Sequence, residues 1–80
     1  MTTVHSELME QFKLEMDAFC RYKDILSMTD GYLKDALEEI MCDEYLHAKF
    51  LRHYLIKTGS YVPSEHIELE KRFSRIENEL

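Results

Sequence analysis

Apolar side chains recur along the first third of the chain in alternating steps of four and three residues. Leu8, Phe12, Phe19, Tyr22 and Leu26 fall on one line, and one charged residue, Glu15, stands within it. Such spacing marks one face of an α-helix, where positions three, four and seven apart lie together. A helix over about residues 3–27 is therefore predicted, capped by Thr2 or Thr3, whose side-chain oxygen can accept an orphan backbone N–H. A second stripe follows: Leu33, Leu37, Ile40, Glu44, His47, Leu51 and Tyr54, with Glu44 and His47 as its polar members. It predicts a helix over about 31–57, capped by Thr29 or Asp30 and stopped at Gly59. The stretch Gly59–Pro63 reads as a loop. Ser64 is expected to cap a third, shorter helix reaching residue 79, with Glu65, Glu68 and Glu70 near its positive end and His66, Leu69, Phe73, Ile76 and Leu80 as its inner face. No repeat or low-complexity segment interrupts this pattern, so residues 1–80 read as a single all-α domain.

The break at Ser27–Gly31 is short, which makes the two long helices an antiparallel hairpin. With the turn centred between Thr29 and Asp30, Glu15 comes level with Glu44, Phe12 with His47, Phe19 with Ile40 and Tyr22 with Leu37. The polar interruptions of the two stripes meet, apolar layers lie above and below, and Glu15, Glu44 and His47 are all expected to face inward. An ionised carboxylate in a helical core is costly unless it is paired or bound to a metal. Two facing carboxylates repel, so one takes up a proton or a cation sits between them. Glu44 and His47, three residues apart, leave the same side of their helix and can hold one metal through oxygen and nitrogen. One hairpin supplies three ligands. A two-fold dimer supplies six, which is the inventory of di-iron and di-manganese bundles: a Glu from each of two helices and Glu-x-x-His from each of the other two.

Composition sharpens the picture. A chain of 80 residues buries only about 60% of its unfolded surface, and oligomerisation, a metal or disulfides usually supply the missing stability. Only 2 Gly and 1 Pro interrupt the helices, and 45% hydrophobic residues suffice for a packed core. A net charge of -6 argues against nucleic-acid binding and is compatible with binding cations. Cys20 and Cys42 form no Cys-x-x-Cys pair and lie in helical stretches beside apolar residues. They read as small buried hydrophobes in a reducing compartment, with a disulfide between them left open. The N-terminus lacks a basic segment followed by an apolar run, and no stretch approaches the ~20 apolar residues of a membrane span. A cytoplasmic protein without membrane contact is expected.

The segment Glu44-Tyr45-Leu46-His47-Ala48-Lys49 resembles the Glu-x-x-His-Ala-Lys stretch of rubrerythrins and other ferritin-like proteins. Glu15, with Tyr22 seven residues later, is similar to the Glu and Tyr of their first helix. The resemblance covers about residues 12–51. The gap from Glu15 to Glu44 is about one turn shorter than in rubrerythrins, which suits a tighter hairpin. The chain carries one ligand set where rubrerythrins carry two, a half-size layout resembling the encapsulated ferritins, whose iron site lies between two chains. No rubredoxin-like Cys pairs are present. The resemblance implies a hairpin plus third helix that dimerises, or assembles further, into a ferritin-like four-helix bundle. It also implies two irons per dimer site and oxidation of Fe(II) with oxygen or peroxide. Glu15, Glu44 and His47 would be both the metal ligands and the catalytic residues. Iron or manganese suits a carboxylate-rich site with one imidazole per metal, and zinc competes on affinity.

Each of these residues also has a plainer reading. Glu15 alone would snorkel to solvent, and His47 alone would be a satisfied core histidine. Tyr22 belongs to the core, with a hydroxyl within reach of a site carboxylate. Glu38, Glu39 and Asp43 fit a solvated face, with Glu39 or Asp43 able to act as carboxylates beside the ligands. His5 and His53 are expected at the surface, His66 in packing, and the Met residues as core filler. The alternative function is a non-enzymatic acidic helical module for a basic protein partner, with a buried Glu/His network that sets register. A structural metal site without turnover is a third reading.

Overall fold

Three helices account for the chain in a computed structural model that describes residues 3–80: α1 (Val4–Leu26), α2 (Gly31–Lys57) and α3 (Ile67–Asn78). No strand occurs among the described residues, and no helix is long and apolar enough to cross a membrane. Thr3 caps α1, its hydroxyl oxygen accepting from the Ser6 N–H at 3.0 Å. Thr2 lies outside the described residues. Asp30 occupies the N-cap position of α2 without a side-chain bond, while the Thr29 hydroxyl donates back to the Ile25 carbonyl at 2.7 Å. Gly59 follows the end of α2 with φ of 78°, a left-handed conformation in which a β-carbon is strained.

The third helix is capped two residues later than Ser64 would cap it. Its N-cap position is His66, and residues 62–66 form a turn in which the Glu65 and His66 N–H groups donate to the Val62 carbonyl at 2.8 and 2.9 Å. The cause lies one residue earlier. Tyr61, expected in an open loop, is almost fully buried, and the His66 ring stacks on it at 5.0 Å between centroids. The turn is what swings Tyr61 into the core. Its hydroxyl donates to Glu70 at 2.6 Å.

The core gathers Phe12, Met16 and Phe19 from α1, Ala48 and Leu55 from α2, Tyr61, and Phe73 and Ile76 from α3. Phe12 meets Tyr61 edge-on at 5.5 Å and Phe73 at 6.1 Å. Polar clamps fix α3 to both helices of the hairpin. Arg52 of α2 makes a two-pronged pair with Glu70, its Nε donating at 3.0 Å, and stacks over the Phe73 ring. The Tyr45 hydroxyl donates to Glu77 at 2.8 Å. From α1, Asp17 accepts from Arg72, and Glu79 pairs with Lys23 at 2.7 Å.

The inner face of α1 is the expected one, joined by Met16. That of α2 is not. Leu33, Ile40, His47 and Tyr54 are exposed, and the buried line runs through Met41, Tyr45, Ala48, Arg52 and Leu55. The helix is turned toward α3 because it must pack on two neighbours at once, and the face serving both lies between them. Cys20 and Cys42 are also corrected: both are exposed and free, since Cys20 borders a groove between α1 and α3 and Cys42 lies off the buried line.

Candidate metal centre

Glu15, Glu44 and His47 come together at the mid-height of the hairpin, on the side away from α3. One ligand atom from each lies within 4.8 Å of the others. The pairing of Glu15 with Glu44 follows from the tight turn, which sets the two helices level. His47 reaches the same height because helical side chains lean toward the N-terminus of their helix, so a residue one turn further along bends back to Glu44's level. Its Nδ1 stands 3.5 Å from Glu15 Oε2. Only the carboxyls are drawn inward. The Glu15 side chain is 12% exposed, while that of His47 is 61% exposed and rims the open face. The expectation that His47 points into the core is overturned by the same rotation of α2 that buries Ala48.

Glu15 is held from behind. The Gln11 amide, one turn earlier on α1, donates to Glu15 Oε1 at 2.9 Å and turns Oε2 toward Glu44 and His47. Oε2 is buried and accepts no hydrogen bond from a fixed donor. What can meet it is the His47 ring 3.5 Å away, a titratable proton on Glu44 or a cation. The spacing of Gln11 and Glu15, four residues apart, was the available signal for this pair.

No family model, curated protein or solved structure matches the chain. Glu44 is pushed up to about 7 by the hydrogen bond its protonated form makes to Glu15, by burial and by the Glu15 charge, with a smaller push from Asp43. Burial also acts to raise Glu15, but the Glu44 proton, the Gln11 amide and His47 outweigh it and hold Glu15 below the usual carboxylate range. Without a metal, Glu44 thus keeps its proton to higher pH than Glu15 does.

This has a consequence for stability. A carboxyl whose folded pKa is raised favours the folded state below its unfolded value, and loses that contribution as pH climbs through the folded value. The metal-free protein is expected to lose Glu44's contribution as pH rises from about 4.5 to about 7. Glu44→Gln, which keeps the neutral hydrogen-bonding form, should flatten this loss. Melting temperatures in chelator across that range, compared between the two proteins, measure it. A wild-type profile parallel to that of the variant would contradict the shared proton.

The remaining candidates fall outside the cluster. Tyr22 is half-buried, lines a groove on α1 with Ala18 and Ile25, and makes no hydrogen bond to the site among the described residues. Glu38, Glu39 and Asp43 are exposed, as are His5 and His53. His66 packs on Tyr61, far along the chain from the centre.

Proposed function

We propose that Glu15, Glu44 and His47 bind a divalent metal, and that two chains related by a two-fold axis complete a di-iron carboxylate centre within a ferritin-like four-helix bundle. Its activity is the oxidation of Fe(II) by oxygen or peroxide. The observation that carries this reading is the buried Oε2 of Glu15, which accepts no well-formed hydrogen bond and stands 3.5 Å from His47 Nδ1, in a cluster whose three ligand atoms lie within 4.8 Å of one another. Such an atom is costly unless a cation or proton satisfies it. Two oxygens and one nitrogen are a donor set suited to Fe(II) or Mn(II), with Zn(II) competing by affinity alone.

The residues divide the work. Glu15, fixed by Gln11, presents one oxygen; Glu44 gives up its proton when a cation takes that place; His47, reaching in from the exposed rim, adds a neutral nitrogen. Iron is substrate as well as occupant: each Fe(II) gives one electron to the oxidant and leaves as Fe(III). Three ligands from one chain leave a metal open on the side facing solvent, and a second chain supplies the other three.

The test starts from protein purified without a metal-affinity tag. Metal per chain is measured, Fe(II) is added without oxygen, and air is then admitted while near-ultraviolet absorbance is followed. About one iron per chain and a rapid rise in Fe(III) absorbance are expected. Tight binding with no oxidation would leave a structural metal site. No uptake at any ratio would overturn the reading and turn attention to a protein partner.

A further inference from the structure

We propose that Gln11 decides how Glu15 binds a cation: it ties one carboxylate oxygen to the protein, so that Glu15 meets a divalent metal through Oε2 alone. This rests on reading the cluster as a metal site, and it holds however many chains complete that site.

The two oxygens of Glu15 have unlike surroundings. Oε1 accepts from the Gln11 side-chain amide at 2.9 Å. Oε2 is buried, accepts no well-formed hydrogen bond and stands 3.5 Å from His47 Nδ1. The last torsion of a glutamate side chain is broad, so an untethered carboxylate can turn either oxygen, or both, toward a cation. The bond at Oε1 removes that freedom. It fixes the carboxylate plane and leaves one oxygen facing Glu44 and His47. Gln11 reaches Oε1 because it lies one turn before Glu15 on α1, and residues four apart share a helix side.

The use of a neutral donor sets Glu15 apart from other paired carboxylates of the chain. Glu70 is held by Arg52, Glu79 by Lys23 and Asp17 by Arg72. Each of these has a permanently charged partner. Glu15 is the most buried of the four, 12% exposed against 25% for Glu70, yet its donor at Oε1 is an amide. Burial makes a cationic partner more necessary, not less. A lysine or arginine at position 11 would satisfy that need permanently and compete with a metal. The amide orients the carboxylate without cancelling its charge, and that charge is left for a cation that arrives later.

The restriction also bears on which cation fits. Held in this way, Glu15 offers one atom, beside an imidazole nitrogen from His47 and an oxygen from Glu44. Ca(II) takes about six to eight oxygens and often both oxygens of one carboxylate. Few donors including a nitrogen suit a smaller transition-metal ion instead.

Positioning can be separated from folding. Gln11 is exposed, and a Gln–Glu pair on a helix surface adds little to stability. The test uses the full wild-type chain and Gln11→Met, which keeps a side chain of similar length and removes the donor. Zinc, which is redox-silent, is the probe. Its affinity is measured by competition with a coloured chelator, and infrared difference spectra are recorded between zinc-free and zinc-loaded protein. A carboxylate bound through one oxygen has widely separated stretching bands, and one bound through both has closely spaced bands. Wild-type protein is expected to show the wide separation. Gln11→Met is expected to bind zinc about 10–100-fold more weakly and to add a closely spaced pair from Glu15. Its metal-free melting temperature should move by no more than about 4 °C. Equal affinity and equal spectra in the two proteins would overturn the role of Gln11 and leave the metal site standing. Weaker binding with unchanged bands would also overturn it, since Gln11 would then set the strength of the site and not which oxygens Glu15 offers. A wild-type chain that takes up no zinc would overturn the metal reading and this inference together. In a second variant, Gln11→Lys is expected to bind zinc more weakly than Gln11→Met, because its ammonium competes for Glu15. Tighter binding by Gln11→Lys would overturn the part given to a neutral donor.

Discussion

Replacing Glu44 by alanine is expected to abolish metal uptake while leaving the fold intact. Among the described residues, Glu44 is the carboxylate that clusters with Glu15, and it shares its helix side with His47. Alanine removes one of the three clustered side chains proposed to hold the metal. The fold should survive because nothing in the core leans on Glu44: the neighbours that pack α2 are Met41, Tyr45, Ala48 and Leu55. Removing Glu44 takes away the hydrogen bond its protonated form makes to Glu15 as well as the repulsion between the two ionised carboxylates, so the comparison is made at one fixed pH. The effect is therefore read most sharply as lost stabilisation by metal. A ligand at a hundred times its dissociation constant stabilises the native state by about 2.7 kcal/mol. For a domain of this size that corresponds to a rise of roughly 10–20 °C in melting temperature. Wild-type protein should show that rise on adding Fe(II) or Zn(II) and lose it on chelation. Glu44→Ala should melt at one temperature in either condition. A variant still stabilised by metal would remove Glu44 from the centre.

The second large effect is on stability itself. Phe12→Ala is expected to destabilise the protein by about 3–5 kcal/mol, the range for truncating a buried phenylalanine. Phe12 is fully buried, and its ring touches Tyr61 and Phe73, so it joins α1 to the turn before α3 and to α3 itself. A chain of this length has a total stability of roughly 4–12 kcal/mol. The variant should therefore be largely unfolded near 37 °C without metal, and should show a much lower urea midpoint at 25 °C. Phe50 is the control. It is 70% exposed, and alanine there should shift the unfolding of the single chain by no more than about 0.5 kcal/mol. Comparable losses at the two positions would show that the core is not centred on Phe12.

These two phenylalanines show how far periodicity reached. Phe12 belongs to a stripe with a clear period and was legible as core. Phe50 is equally apolar, but it lies off the stripe of α2 and faces solvent. Three-four spacing identifies a helix and one of its faces to within about one residue, and that residue decided the fate of His47. The stripe through Leu33, Ile40, His47 and Tyr54 has helical spacing, yet it is not the face on which the chain packs against itself. Two apolar lines on one helix look like a single broad one until the position of α3 is known. The same ambiguity hid Tyr61. Its neighbours Gly59, Ser60 and Pro63 are loop residues, and only the return of α3 over the hairpin gives its ring a place to be buried.

By itself the sequence determined three helices and the bounds of the first two to within a residue. It also determined the tight turn and the meeting of Glu15 with Glu44, because these depend on local spacing, caps and the length of one connection. The tertiary structure decided the rest: which side of α2 is buried, that His47 sits on the rim, that both cysteines are exposed, and that Gln11 aims Glu15. Those features depend on how three helices share a small volume. Rotating a helix about its own axis by a fraction of a turn changes no local spacing, but it exchanges the side chains that are buried for those that are free to bind.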